Sequence, residues 1–224
     1  MFLQLIANSP TVALVWIIVI LLSLTVHEFF HALVANWKGD KTAELAGRLT
    51  LNPIPHIDPI GLIPLLLLGF GWAKPVPFNP YNLKDPKRDA VHIALAGPLS
   101  NLLMAVLAGV TLRILLTTGV IGLLNLLTVF LVLLVIINLF LMFFNIIPIH
   151  PLDGSKLVDA LLHAPQHQNL RNAIARYGST GLMVLVMLSI MGVPVFSFIS
   201  WPSFFVCDAL VGQNCSLLLM QIFS

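Results

Sequence analysis

The pentapeptide "HEFFH" at residues 27–31 sets two histidines four positions apart, with Glu28 directly behind the first. On a helix, positions i and i+4 lie on one face. His27 and His31 can therefore offer two imidazole nitrogens to one metal ion, and Glu28 sits where it can take a proton from bound water. Zinc is the ion this spacing suits, and it lowers the pKa of its water to about 7, so that hydroxide is available at neutral pH. A catalytic zinc usually has three protein ligands, so a third must come from elsewhere. The segment "NIIPIHPLDG" at 145–154 closes a long apolar run and carries two candidates, His150 and Asp153. Imidazole and carboxylate both suit zinc, and metal chemistry alone does not choose between them. Local geometry favours Asp153 a little: Pro151 holds His150 extended, whereas Asp153 precedes Gly154 in a more pliable turn. A carboxylate would also reduce the charge of the ion in a poorly solvated site. Alone, "PLDG" is a common surface turn; its place at the depth of HEFFH makes it a ligand segment.

Weaker candidates surround this pair. "AGPLSN" at 96–101 places Gly97, Pro98 and Asn101 on an apolar helix. Small residues there permit close helix packing, and Asn101 serves either as a cross-helix bond or as a group at the site. Asn145 is either a helix-end amide or a donor to a developing oxyanion. His56, His92, His163 and His167 lack ligand spacing to anything, and His163 and His167 flank Pro165 in a polar loop that reads as solvated. Ser23, Ser100 and Ser155 have no Ser/His/Asp or Ser/Lys arrangement around them. Asp58 and Asp89 read as cap or turn residues.

The elements that must position these groups belong in lipid. The chain has 224 residues, 58% of them hydrophobic and 9% charged, where a soluble domain carries roughly 25%. Its mean hydropathy is +1.00. Such a chain cannot cover a wetted surface and is an integral membrane protein. A dispersed net charge of +2 excludes nucleic acid as a partner. Two cysteines, Cys207 and Cys215, provide no thiolate metal cluster; eight residues apart, they either close a small loop or remain free thiols. The N-terminus lacks a basic n-region and a small-residue cleavage site, which speaks against a cleaved signal peptide. A spanning helix needs about 20 apolar residues, and residues 11–37, 89–117, 121–146 and 176–199 qualify. The apolar tail, 201–224, either dips into the bilayer or runs along its surface. Residues 38–88, rich in Pro and Gly, read as a β-rich, partly re-entrant segment: a strand at 47–53 and two extended arms over 62–78 around Gly69-Phe70-Gly71. The fold class expected is an all-α polytopic membrane protein with that one small β-rich insertion. Lys and Arg gather in 38–88 and 156–176, which puts both loops in the cytoplasm and the N-terminus outside. Ionisable groups inside a span cost about 2.5–3.5 kcal/mol each at the helix centre, so HEFFH there marks function.

HEFFH in one helix, "GPLSN" in the next and "NIIPIHPLDG" closing a later one together resemble the site-2 protease family of intramembrane zinc proteases. "GRLTLNPIPHIDPIG" and "GWAKPVPFNP" look like its compact prokaryotic members, without PDZ or CBS modules. The resemblance covers about residues 15–160. It implies one Zn2+ per chain held by His27, His31 and Asp153, with Glu28 as general base and Asn101 and Asn145 beside the substrate. It also implies regulated intramembrane proteolysis in the inner membrane, in which the transmembrane segment of a substrate protein is cut. The expectation is a single protease domain over 1–224, with a core at 11–199, the β-rich segment at 38–88 and an apolar tail at 200–224.

On this reading Glu28 moves a proton from water to the leaving amine, and an exposed strand at 47–53 or 62–78 holds the unwound substrate by strand addition. Two other classes stand beside it. A metal-ion transporter would repeat its ligands along a path through pseudo-symmetric halves, and these halves do not match. A non-catalytic scaffold would have no need of a buried base such as Glu28.

Overall fold

The structure is a computed structural model that describes residues 8–68, 71–123, 125–162 and 165–223. Nine helices carry the described chain: α1 (Pro10–Trp37), α2 (Thr42–Leu45), α3 (Pro59–Leu68), α4 (Pro86–Thr117), α5 (Leu126–Asn145), α6 (Gly154–Leu161), α7 (Gln168–Ile190), α8 (Ser197–Val211) and α9 (Cys215–Phe223). Four of them, α1, α4, α5 and α7, are long and apolar enough to cross a membrane; α8 and α9, bent by 96° at their junction, would together make a fifth. The protein is thus a multi-pass membrane protein.

α4 is the central post. It packs on α1, α5, α6 and α8, and its small residues permit that closeness. Ala105 and Ala108 are buried, and a Cβ on Gly109 would lie 2.8 Å from Leu210 Cβ of α8. Around it Val19, Leu112, Val132, Val135, Leu139 and Val211 form the core. α7 touches little else and stands largely exposed. It runs earlier than the 176–199 expected, because Gly192 (φ +94°) and Pro194 end it. The tail neither skims nor dips as a single piece: α8 packs on α4 and α5, and a Cys207–Cys215 disulfide ties α9 to it.

The β-rich segment is a correction. No strand occurs among the described residues. Residues 47–53 are bends and turns. Within 62–78 the first half is the helix α3, and residues 71–79 form an arm with no regular secondary structure and no ladder; the turn at Gly69 and Phe70 lies outside the described residues. Composition explains the difference. Pro75, Pro77 and Pro80 remove the donors that a ladder needs, while "PIGLIPLLLL" has the length and apolarity for a short helix. α3 and the arm lie together instead: a Cβ on Gly61 would meet Trp72 O at 2.2 Å, and one on Gly71 would meet Gly61 O at 2.3 Å. Trp72 Nε1 donates to Asp58 Oδ2 (2.9 Å), whose Oδ1 accepts from the Ile60 N–H (2.9 Å) at the start of α3.

Where α1 ends, Gly39 (φ +105°) turns the chain and Asp40 takes up the loop. Asp40 is fully buried. Its Oδ1 accepts from Thr42 N, Thr42 Oγ1 and Asn82 Nδ2, and its Oδ2 from the Asn79 N–H (2.6 Å). Burial pushes this carboxyl up, but the hydrogen bonds hold it below the ordinary carboxylate range. A group depressed in this way stabilises the fold above its unfolded pKa of about 3.9, and that contribution is lost as pH falls through its folded value. Asp40→Ala should cost about 2–4 kcal/mol by stranding buried donors, and thermal unfolding in detergent at neutral pH measures it.

Candidate metal centre

The two histidines of HEFFH lie on one face of α1, each nearly buried. His27 Nε2 and His31 Nε2 are 3.0 Å apart. The turn after α5 brings Asp153 Oδ2 to 3.2 Å from the first and 3.1 Å from the second. Three donor atoms thus form a nearly equilateral triangle. Ligands held about 2.0–2.1 Å from a tetrahedral zinc stand about 3.3–3.4 Å from one another, so the triangle matches one face of such a site.

The protonation pattern supports a cation there. His31 Nδ1 lies 2.6 Å from the Ile93 carbonyl oxygen, which can only accept, so the ring proton sits on Nδ1. The same deduction for His27 runs through three polar side chains. Asn138 Nδ2 donates to Leu134 O and to Ser23 Oγ, both at 2.8 Å, which leaves its Oδ1 to accept from Asn101 Nδ2 (2.7 Å). Asn101 Oδ1 then faces His27 Nδ1 at 2.6 Å and must receive its proton. With Nδ1 the protonated nitrogen of each ring, the Nε2 atoms of the two rings in their neutral form are lone-pair acceptors, and so is the carboxylate. Three acceptors converge with no donor among them, a set that a metal ion satisfies. Among the described residues, His27, His31 and Asp153 form the one group of three or more His, Cys, Asp or Glu side chains able to hold an ion together.

The local sequence explains each placement. A Cβ on Gly97 would lie 2.4 Å from His31 Nε2 and 2.5 Å from His27 Nε2, so only glycine lets α4 pass the ring pair. A Cβ on Gly154 would lie 2.1 Å from Ile146 O, so only glycine lets the chain fold back on the end of α5 and present Asp153. Lys156 Nζ approaches the other carboxylate oxygen, Oδ1, at 3.6 Å and leaves Oδ2 for the histidines. Glu28 lies beside His27, outside the triangle, and its Oε2 accepts from the Val76 N–H at 3.0 Å.

Other residues fall elsewhere. His150 is exposed and stands apart from the triangle; its backbone is where α7 touches down, close enough that a Cβ on Gly178 would lie 2.8 Å from His150 O. Asn101 is fully buried behind His27 and bonded to it, so it supports the ring and has no open face for a substrate. Asn145 is half-buried and donates to Leu141 O of its own helix (2.9 Å). His56 is buried and bonded, and His163 lies outside the described residues. Asn138 and Ser23 had no place in the sequence reading as members of the site, although a polar amide inside "LVIINLFLM" was itself a signal.

The chain matches the family described as "Peptidase family M50" over residues 118–189, from the end of α4 through α5, the Asp153 turn and α6 into the last turn of α7. The curated protein "Putative zinc metalloprotease YwhC" of Bacillus subtilis (strain 168) is 37% identical over 189 residues, 83% of this chain and 84% of that protein. "Putative zinc metalloprotease Rip2" of Mycolicibacterium smegmatis is 37% identical over 93 residues, 39% of this chain and 35% of that protein. No solved structure matches the chain.

Two measurements of bound zinc test the centre. Asp153→Ala should lose zinc and cleavage together, whereas His150→Ala should keep zinc and at least part of the activity; the reverse would move the third ligand to His150. Gly97→Ala should lower zinc affinity at least tenfold, read by chelator competition, because the added methyl occupies the space of the two Nε2 atoms.

Proposed function

The chain belongs to peptidase family M50, the site-2 protease family of zinc metalloproteases, and from that premise we propose that it is an intramembrane endopeptidase that cuts the transmembrane segment of a substrate protein. The observation that carries this reading is the acceptor triangle of His27, His31 and Asp153, formed partly on a lipid-length helix and with a further carboxylate, Glu28, outside the triangle and one residue from His27. In this reading the three residues are the ligands of one zinc ion. Zinc, when bound, supplies Lewis acidity that makes hydroxide available near neutral pH and polarises the scissile carbonyl.

The remaining work falls to the chain. Glu28 accepts the proton of the attacking water and returns it to the leaving amine, which makes one carboxylate both base and acid. Asn145, at the end of α5 and bonded through its amide to Leu141 O, is the candidate donor to the developing oxyanion. Asn101 acts through His27: it fixes the tautomer and orientation of that ring, as groups behind a ligand commonly do. A helical substrate hides its carbonyls in hydrogen bonds, so the segment must unwind before attack. The basic loops at 38–88 and 156–176 face the cytoplasm of a cell whose inner membrane holds the protein, with the site opening to that side and the N-terminus outside. The chain works as one protease domain, its core at 11–199 and its tail laid against α4 and α5.

A transporter reading would need a second cluster along a path, and the described residues hold one cluster. Incubation of the purified protein with a model transmembrane substrate, with and without a zinc chelator, tests the proposal: cleavage should appear, and should stop when zinc is removed. Glu28→Gln should bind zinc near the wild-type level while cleavage falls at least about 100-fold. Substantial cleavage by that variant would remove Glu28 as the base, and cleavage that ignores the chelator would remove zinc from the chemistry.

A further inference from the structure

The motifs "GRL" at 47–49 and "KPVPF" at 74–78 take no part in holding the three ligand atoms. Yet Arg48 is a buried guanidinium, 5% exposed. Its Nη1 donates to Pro75 O (3.1 Å) and its Nη2 to Lys74 O (2.5 Å). Nη2 also reaches His56 Nδ1 at 3.3 Å. His56 Nε2 lies 2.9 Å from Thr50 O, so the ring proton is on Nε2 and Nδ1 is free to accept from the arginine. Burial works against the charge of Arg48 and holds its pKa below the ordinary value, while the Glu28 carboxylate favours that charge through space.

Arg48 therefore grips consecutive carbonyls of the extended arm, and the next residue is Val76. In the run Pro75-Val76-Pro77 the two prolines have no N–H, so Val76 supplies the lone backbone donor of the three. It is delivered to Glu28 Oε2 at 3.0 Å. The prolines also hold the arm extended. Both ends are fixed: Lys74 N–H donates to His56 O (2.9 Å), and Asn79 N–H donates to Asp40 Oδ2 (2.6 Å). Near its end the Phe78 ring carries Lys156 Nζ 5.1 Å above its centre, the same ammonium that approaches Asp153. The arm thus touches both halves of the site.

A glutamate has three rotatable side-chain bonds, and a general base works only within hydrogen-bond reach of its proton. We propose that Arg48 is a positioning residue for Glu28: it clamps the arm so that the Val76 N–H holds Oε2 and leaves Oε1 free to take the proton from water. This rests on Glu28 being the base. It gives the prolines a task beyond breaking secondary structure, namely removing the donors that would compete with Val76. Lysine cannot replace the arginine, since an ammonium lacks the planar fork that spans two carbonyls and a ring nitrogen.

Val76→Pro deletes the donor and little else, and it suits an extended residue. The full-length protein carrying it should bind zinc as wild type and keep its KM within about twofold, while kcat falls about 10–100-fold. Arg48→Met and Arg48→Lys should show the same split. In hydrogen exchange on the zinc-free protein, both Arg48 variants should lose protection at the Lys74, Val76 and Asn79 amides while α1 stays protected. A structural role alone would instead lower zinc content or folded fraction in proportion to activity. Wild-type kcat in a zinc-loaded Val76→Pro protein overturns the proposal, as does unchanged arm protection in Arg48→Met. If Arg48→Met fails to fold, Arg48→Lys, which keeps the charge and stem but not the planar fork, decides by the same kinetic and exchange readouts. Failure of the underlying reading looks different, because Glu28→Gln would then itself retain cleavage.

Discussion

Polar groups inside an apolar bundle must satisfy one another, because no water is there to do it. The rest of the structure follows from the way this chain meets that demand. Asn138, on the most apolar of the spans, donates to Ser23 and Leu134 and accepts from Asn101; Asn101 accepts from His27. Each member has one consistent orientation, and the line ends by fixing which ring nitrogen of His27 bears a proton. With His31 fixed the same way by Ile93 O, two lone pairs and a carboxylate face one point. A network satisfied everywhere except at a single point concentrates its demand for a cation there. The helix packing serves the same end: Gly97 brings α4 against the rings, and Gly154 returns Asp153 to the end of α5.

The loop between the first two spans does the complementary work without forming a sheet. Three buried polar centres, Asp40, Arg48 and His56, bind backbone groups of the loop and its arm. Prolines keep the arm straight and strip it of donors. The result is an extended segment held by side chains rather than by neighbouring strands, and its backbone is already committed to Arg48 and Glu28.

The chemistry was legible in the sequence because it is written in short spacings. HEFFH fixes its own geometry on any helix, and four lipid-length runs set the class as a multi-pass membrane protein. What brought Asp153 to the histidines was less visible, since His150 satisfied the same metal preference and turn geometry and charge favoured Asp153 only a little; in the fold His150 is exposed, its backbone beside α7, and Asp153 stands at the triangle. The β-rich reading of 38–88 failed for a physical reason. Pro and Gly in a sequence signal strands and turns, but Pro75, Pro77 and Pro80 deny a ladder its donors, and "PIGLIPLLLL" forms a helix despite Pro64. The pairings of Asn138 with Ser23 and of Arg48 with the arm were hidden because they span 115 and 26 residues, distances over which periodicity carries no information.

The central claim is that one zinc ion sits on His27, His31 and Asp153. X-ray absorption at the zinc edge of the purified protein tests it most directly. The account predicts one zinc per chain with nitrogen and oxygen neighbours at about 2.0–2.1 Å, multiple scattering from two imidazoles, and in Asp153→Ala the loss of this signal. A first shell containing sulfur, scattering from three imidazoles, or an unchanged spectrum in Asp153→Ala would contradict it.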